Sequence, residues 1–185
     1  MPFPFTAPAT RSVAVNRFAP LLLATSLGLL AACHSGMSNR DYLHENVASW
    51  NGTVSMVEQW TNGPNGESFH ASLQDGKSMQ QHRFGLKNAH KEIADRLVFV
   101  QQFTHGKDAD ALHQNLLDSL KSTEQMFAVM EQLAALPDGY SEEQVTPLLQ
   151  TLDEAVTKMD EDMQTLSDAQ DAFAKAHRIH LQTTG

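Results

Sequence analysis

Nine histidines in 185 residues raise metal chemistry before anything else. Imidazoles or carboxylates on a helix can ligate one ion only if they share a face, which needs spacings of three or four. His177 and His180 have that spacing, as do Glu67 and His70. His177, His180 and His70 are therefore the candidate ligands of a metal- or haem-binding bundle. The remaining helical or loop histidines, His44, His82, His90, His105 and His113, read as solvated. One thiol completes the inventory of reactive groups, at Cys33.

Stricter signatures are missing from the sequence. A ferritin-like di-metal site needs two Glu-x-x-His motifs and two further carboxylates, and only Glu67-Ser68-Phe69-His70 fits. A cytochrome b562-like bundle pairs an N-terminal Met with a C-terminal His. Met56 and His177 could take those roles, but their spacing imposes no constraint. There is no Cys-x-x-Cys-His, no His-Glu-x-x-His, no Gly-x-Ser-x-Gly elbow and no calcium loop. Met126, Met130, Met159 and Met163 lie on or beside apolar stripes and read as core filling. Asp160-Glu161-Asp162 reads as a solvated face. Nothing in this inventory predicts an enzyme, and no resident cofactor is expected.

The thiol has a different reading. Arg11 and Arg17 are the only charges before Cys33, and an apolar core from Phe18 to Leu30 leads into the small pair Ala31-Ala32. That core is shorter than the roughly 20 apolar residues of a membrane span. The segment resembles the signal of bacterial lipoproteins, whose box is Leu, two small residues and Cys, here Leu30-Ala31-Ala32-Cys33. The resemblance implies removal of residues 1–32, diacylglyceryl attachment at Cys33 and N-acylation of the new terminus. His34, in place of Asp, implies sorting to the outer membrane. An unpaired thiol in an oxidising compartment also finds an explanation in lipidation. Two or three acyl chains anchor stably where one does not.

Thirteen basic residues face 22 acids, for a net charge of −9. Two of the bases and none of the acids precede Cys33, so the mature chain carries −11. That balance excludes a nucleic-acid partner, which would need a basic surface. It also disfavours a domain lying flat on an anionic leaflet.

Residues 33–40 read as a lipidated tether and 41–182 as a helical domain. Ser38 with Asp41 marks a helix start. Leu43, Val47, Trp50, Val54 and Val57 then draw one apolar stripe, with Asn51-Gly52 as a potential break. Thr61 to Gly66 reads as a loop. Glu67 to Lys77 is either an extension of the next helix or irregular, and Leu86, Ala89, Ile93, Leu97 and Val100 restore the period. Gly106 suits a C-cap for that helix, and Asp108 an N-cap for a third helix running to Leu136. A fourth follows a Pro137-Asp138-Gly139 turn. Ser141 with Gln144 fits a capping box, with Thr146-Pro147 as a competing start. Its seam of Val145, Leu149, Leu152, Val156, Met159, Met163, Leu166, Gln170, Phe173, His177 and His180 spans about five heptads.

The fold predicted is all-α, an up-down antiparallel bundle of about four helices with a long last helix. Trp60 and Tyr42 lie off the first stripe and are candidate interface anchors. Trp60 would equally close the bundle end beside the Gly-Pro loop. The expected role is that of a non-enzymatic, lipid-anchored protein of the bacterial envelope, facing the periplasm. It would act through protein contacts as an adaptor, an assembly subunit or an inhibitor. The long fourth helix also suits pairing with a second copy as a homodimer. The mature domain is loosely similar to helical lipoproteins of proteobacteria without a known function, and no motif transfers residues from them.

Overall fold

The computed structural model describes residues 37–180, so Cys33 and its signal segment lie outside the described residues. Five helices follow one another: α1 Asn39–Thr61, α2 Pro64–Asp75, α3 Arg83–Val100, α4 Asp110–Ala134 and α5 Glu142–Ala176. Single 3-10 turns at Met79–His82 and Lys107–Ala109 lead into α3 and α4. The four long helices run alternately up and down, and α2 is a short spur packed on α1. No strand occurs among the described residues.

Side chains cap the starts of α1 and α5, whereas α2, α3 and α4 begin without a side-chain cap. Ser38 caps α1, its hydroxyl accepting from the Asp41 N–H at 3.2 Å. Asn51-Gly52 does not interrupt α1, because the flanking stripe is buried on both sides of it. The stretch expected to be a loop, Thr61 to Gly66, contracts to Asn62-Gly63. Pro64 stands in the first turn of α2, where its missing N–H costs nothing. α2 is thus a separate helix rather than an extension of α3. It ends in a Schellman arrangement, with Gly76 at φ 64° and the Lys77 N–H reaching the Ser72 carbonyl at 3.1 Å.

Two boundaries differ from expectation. α3 ends at Val100 rather than near Gly106, which instead has ordinary extended backbone before the 3-10 turn. α4 accordingly starts at Asp110, one residue later than an Asp108 cap would place it. The Ser141 start of α5 prevails over Thr146-Pro147. The Ser141 N–H donates to Gln144 Oε1 at 2.8 Å, and Pro147 is absorbed inside the helix.

The bundle has two distinct ends. At the distal end, the α2–α3 connection meets the α4–α5 turn. Gly139 N–H donates to the Gly76 carbonyl at 2.8 Å, and Ser78 N–H to Asp138 Oδ1 at 2.7 Å. The proximal end gathers the start of α1, the α3–α4 connection and the finish of α5. Met37 N–H donates there to the Thr104 carbonyl at 3.3 Å. Residues 37–40, expected in the tether, therefore already belong to the folded domain.

Two apolar clusters fill the interior. The distal one centres on Val57, Trp60, Phe69, Ile93, Phe127 and Leu133. The proximal one centres on Tyr42, Leu43, Trp50, Leu112, Leu116 and Phe173. Met163 of α5 packs against both.

Candidate functional site

α5 stops at Ala176, and this separates the histidines expected to share its face. His177 is the C-cap, Arg178 has φ 54°, and His180 is exposed beyond the helix. His177 stacks on Phe173 at 4.3 Å, and its Nδ1 bonds the Asn39 amide at 2.9 Å. His70 is exposed on α2 at the distal end. α1, which bridges the two ends, has 23 residues and is about 34 Å long at 1.5 Å per residue. His70 therefore cannot join His177 and His180 around one ion. Met56 fares no better as a partner for His177. It lies 17 residues along α1 from Asn39, about 25 Å.

The interface anchors are also displaced. Tyr42 and Trp60 are both buried, one in each apolar cluster. Trp60 closes the distal end, its ring lying against Gly85 of α3. Neither presents a surface to a partner.

Tyr42 instead belongs to a polar and aromatic group inside the proximal end. Gln170 of α5 donates to Asn46 Oδ1 at 2.8 Å. The Asn46 amide donates to the Tyr42 hydroxyl at a long 3.4 Å, and that hydroxyl lies 3.1 Å from His113 Nδ1 on α4. Assigning the hydroxyl proton toward Nδ1 satisfies every member, with His113 neutral and protonated on Nε2. The His105 ring stacks on His113, centroids 4.3 Å apart, and its Nδ1 lies 3.3 Å from Asp110 Oδ1. Burial holds His113 below the usual imidazole range, and a charge on His105 would push it the same way. Asp110 opposes both. Burial pushes the Tyr42 phenol up to about 12.

A second buried imidazole, His82, sits at the distal end. Its Nε2 accepts from Ser72 Oγ at 2.9 Å and from the Gln81 amide at 3.2 Å, and its ring meets the edge of Phe69. Burial lowers its proton affinity too, against a backbone bond to Ser68. The expectation that His82, His105 and His113 are solvated is therefore corrected: His82 is buried and the other two are half-buried. The seam position of Gln170 was the one sequence signal for this network. Asn46 lies off the α1 stripe and gave none.

His90 faces two carboxylates, but from opposite sides of its ring. Nδ1 is 3.0 Å from Glu131, whereas Nε2 is 3.9 Å from Glu124, so the three cannot chelate one ion. Among the described residues, no group of three His, Cys, Asp or Glu is arranged to hold a metal. An open recess on α1, lined by Ser55, Glu58, Gln59, Asn62 and Gly63, brings no nucleophile and base together. The Ser55 hydroxyl is spent on the Asn51 carbonyl. Among the described residues no helix is long and apolar enough to cross a membrane.

What fold and site define together is an all-α antiparallel bundle in which, among the described residues, every buried side-chain polar atom has a hydrogen-bond partner. No family model matches the chain, and no curated protein or solved structure matches it.

Proposed function

We propose that this chain is a lipid-anchored protein of the bacterial outer membrane, facing the periplasm, that works through protein contacts as an adaptor, assembly subunit or inhibitor. The observation that carries the reading is the position of Met37. Only three residues separate it from Cys33 of the Leu30-Ala31-Ala32-Cys33 box, and it is already bonded to the proximal end of the bundle. A lipid on Cys33 would hold that end at the membrane and leave the distal end facing outward. Tethering of this kind raises the effective concentration of the bundle near a membrane-held partner without any new contact. The mature charge of −11 steers it toward a basic partner surface and away from nucleic acid.

Mass spectrometry of the N-terminal peptide from the membrane fraction is the test. It should find a chain beginning at an acylated Cys33, and Cys33→Ser should empty the outer-membrane pool. A mature chain with a free Cys33 thiol, or an outer-membrane share unchanged by the substitution, overturns the reading.

A further inference from the structure

Among the described residues, three large apolar side chains stand out in solvent: Phe84 is 77 % exposed, Val98 and Phe99 56 % each. All three are on α3 but they do not form one surface. Fifteen residues separate Phe84 from Phe99, about 22 Å of helix. Phe84 is at the distal end, whereas Val98 and Phe99 are in the last turn of α3 at the proximal end.

The proximal pair is extended by Phe103, whose ring meets the Phe99 ring edge-on with centroids 5.1 Å apart. Phe103 is followed by Thr104, the residue whose carbonyl holds Met37. The eight residues Leu97–Thr104 carry no charge in a chain whose mature net charge is −11. The exposed apolar turn, the uncharged segment and the Met37–Thr104 bond thus coincide.

We infer that Val98, Phe99 and Phe103 form a membrane-contact face that seats the proximal end of the bundle in the interface of the bilayer holding Cys33. The inference rests on the lipid-anchor reading. Chain length supplies the geometry. Four residues of advance from Cys33 to Met37 span at most about 14 Å when fully extended. The lipidated sulfur therefore stays close to the Met37–Thr104 bond, and this face cannot stand far from the bilayer. Exposed phenylalanine and valine lose hydration favourably in the headgroup boundary, where peripheral anchors place such residues. Charge selects the pose: an acidic bundle is repelled from anionic headgroups along its sides but not at an uncharged turn. The protein would stand on its end, with Phe84 turned away from the membrane.

The test uses the full, lipidated protein in phosphatidylcholine vesicles. Cys33 is blocked by its lipid, so Phe99→Cys introduces the one thiol that a nitroxide reagent can label. Glu143→Cys, at the exposed distal start of α5, is the aqueous reference. Flotation of the vesicles reports the anchor, and power-saturation electron paramagnetic resonance reports the depth of the label. The label at position 99 should be several-fold more accessible to oxygen, relative to an aqueous nickel chelate, than the label at 143. Val98→Cys should behave as position 99 does. If the protein floats but position 99 is as aqueous as 143, the contact face is overturned and the anchor stands. Dipolar broadening between labels at 99 would mean that a second copy covers the turn, which also overturns it. A protein that fails to float overturns the anchor and this inference with it.

Discussion

Neutral His113 and neutral His82 are conditions of the folded state, and each has a titration consequence. His113 is faced by the Tyr42 hydroxyl from α1, by His105 from the α3–α4 connection and by Asp110 from the start of α4. His82 is faced by Ser72 and Phe69 from α2 and by Gln81 beside it. Burial lowers both below their ordinary value of 6.5. Between the lowered folded value and 6.5, the unfolded chain binds more protons than the native one. Stability contributed by these groups is therefore complete above 6.5 and is lost as pH falls through the folded values. The melting temperature should drop as pH falls below about 6.5, and His82→Gln with His113→Gln should flatten that slope. An equally steep slope in the double variant would assign the effect to other groups. None of this was legible in the sequence. A histidine off an apolar stripe has the same local signature whether it meets water or another helix; the packing of α1 on α4 decides for His113, and that of α2 for His82.

Element boundaries were legible wherever the cause was local. Ser38 and the Ser141–Gln144 pair cap their helices as their spacing requires, and the long seam of α5 holds as far as Phe173. The reading failed where two meanings of one residue competed. Gly63-Pro64 signals a turn, but proline is equally at home in the first turn of a helix, and α2 takes that option. What permits the sharp reversal into α2 is Gly66. A Cβ there would stand 2.7 Å from the Trp60 carbonyl oxygen and 2.9 Å from the Thr61 carbonyl, all rigid backbone. Gly66→Ala would gain up to about 1 kcal/mol in helix propensity. Overpacking against backbone costs about 1–3 kcal/mol, and so the clash should win. Urea denaturation should show a lower midpoint for Gly66→Ala. A raised midpoint would mean that the α1–α2 turn can open without loss. At the other end of the chain, His177 and His180 extend the seven-residue pattern of α5, yet the backbone turns away at Arg178. Pattern alone cannot see that turn, because His177 leaves the helix to bond Asn39, which is remote in sequence.

At the scale of the whole molecule, the bundle is two apolar clusters joined across a polar waist. Thr53 of α1 and Ser119, Ser122 and Thr123 of α4 are buried between them, and Met163 alone packs on both clusters. Small hydroxyl residues let α4 and α5 approach closely over their middle turns. Their hydrogen bonds, however, are not equivalent. Thr123 Oγ1 donates to the Ser119 carbonyl of its own helix at 2.7 Å, whereas the one proton of Ser119 Oγ is shared between the Asn115 carbonyl of its own helix at 2.9 Å and the Asp162 carbonyl of α5 at 3.0 Å. In Thr123→Val the lost bond, about 0.5–1.5 kcal/mol net, is opposed by about 0.8 kcal/mol for the buried methyl that replaces the hydroxyl. The two nearly cancel. In Ser119→Ala nothing replaces the tie to α5, and the cost should be about 1 kcal/mol. Urea denaturation of the two variants should therefore separate them, with Thr123→Val close to the parent and Ser119→Ala clearly below it. A single transition in both would follow from Met163 bridging the clusters. If Thr123→Val were instead the more damaging, the waist would depend on hydroxyls within α4, and the tie between α4 and α5 would not be what joins the two halves of the core.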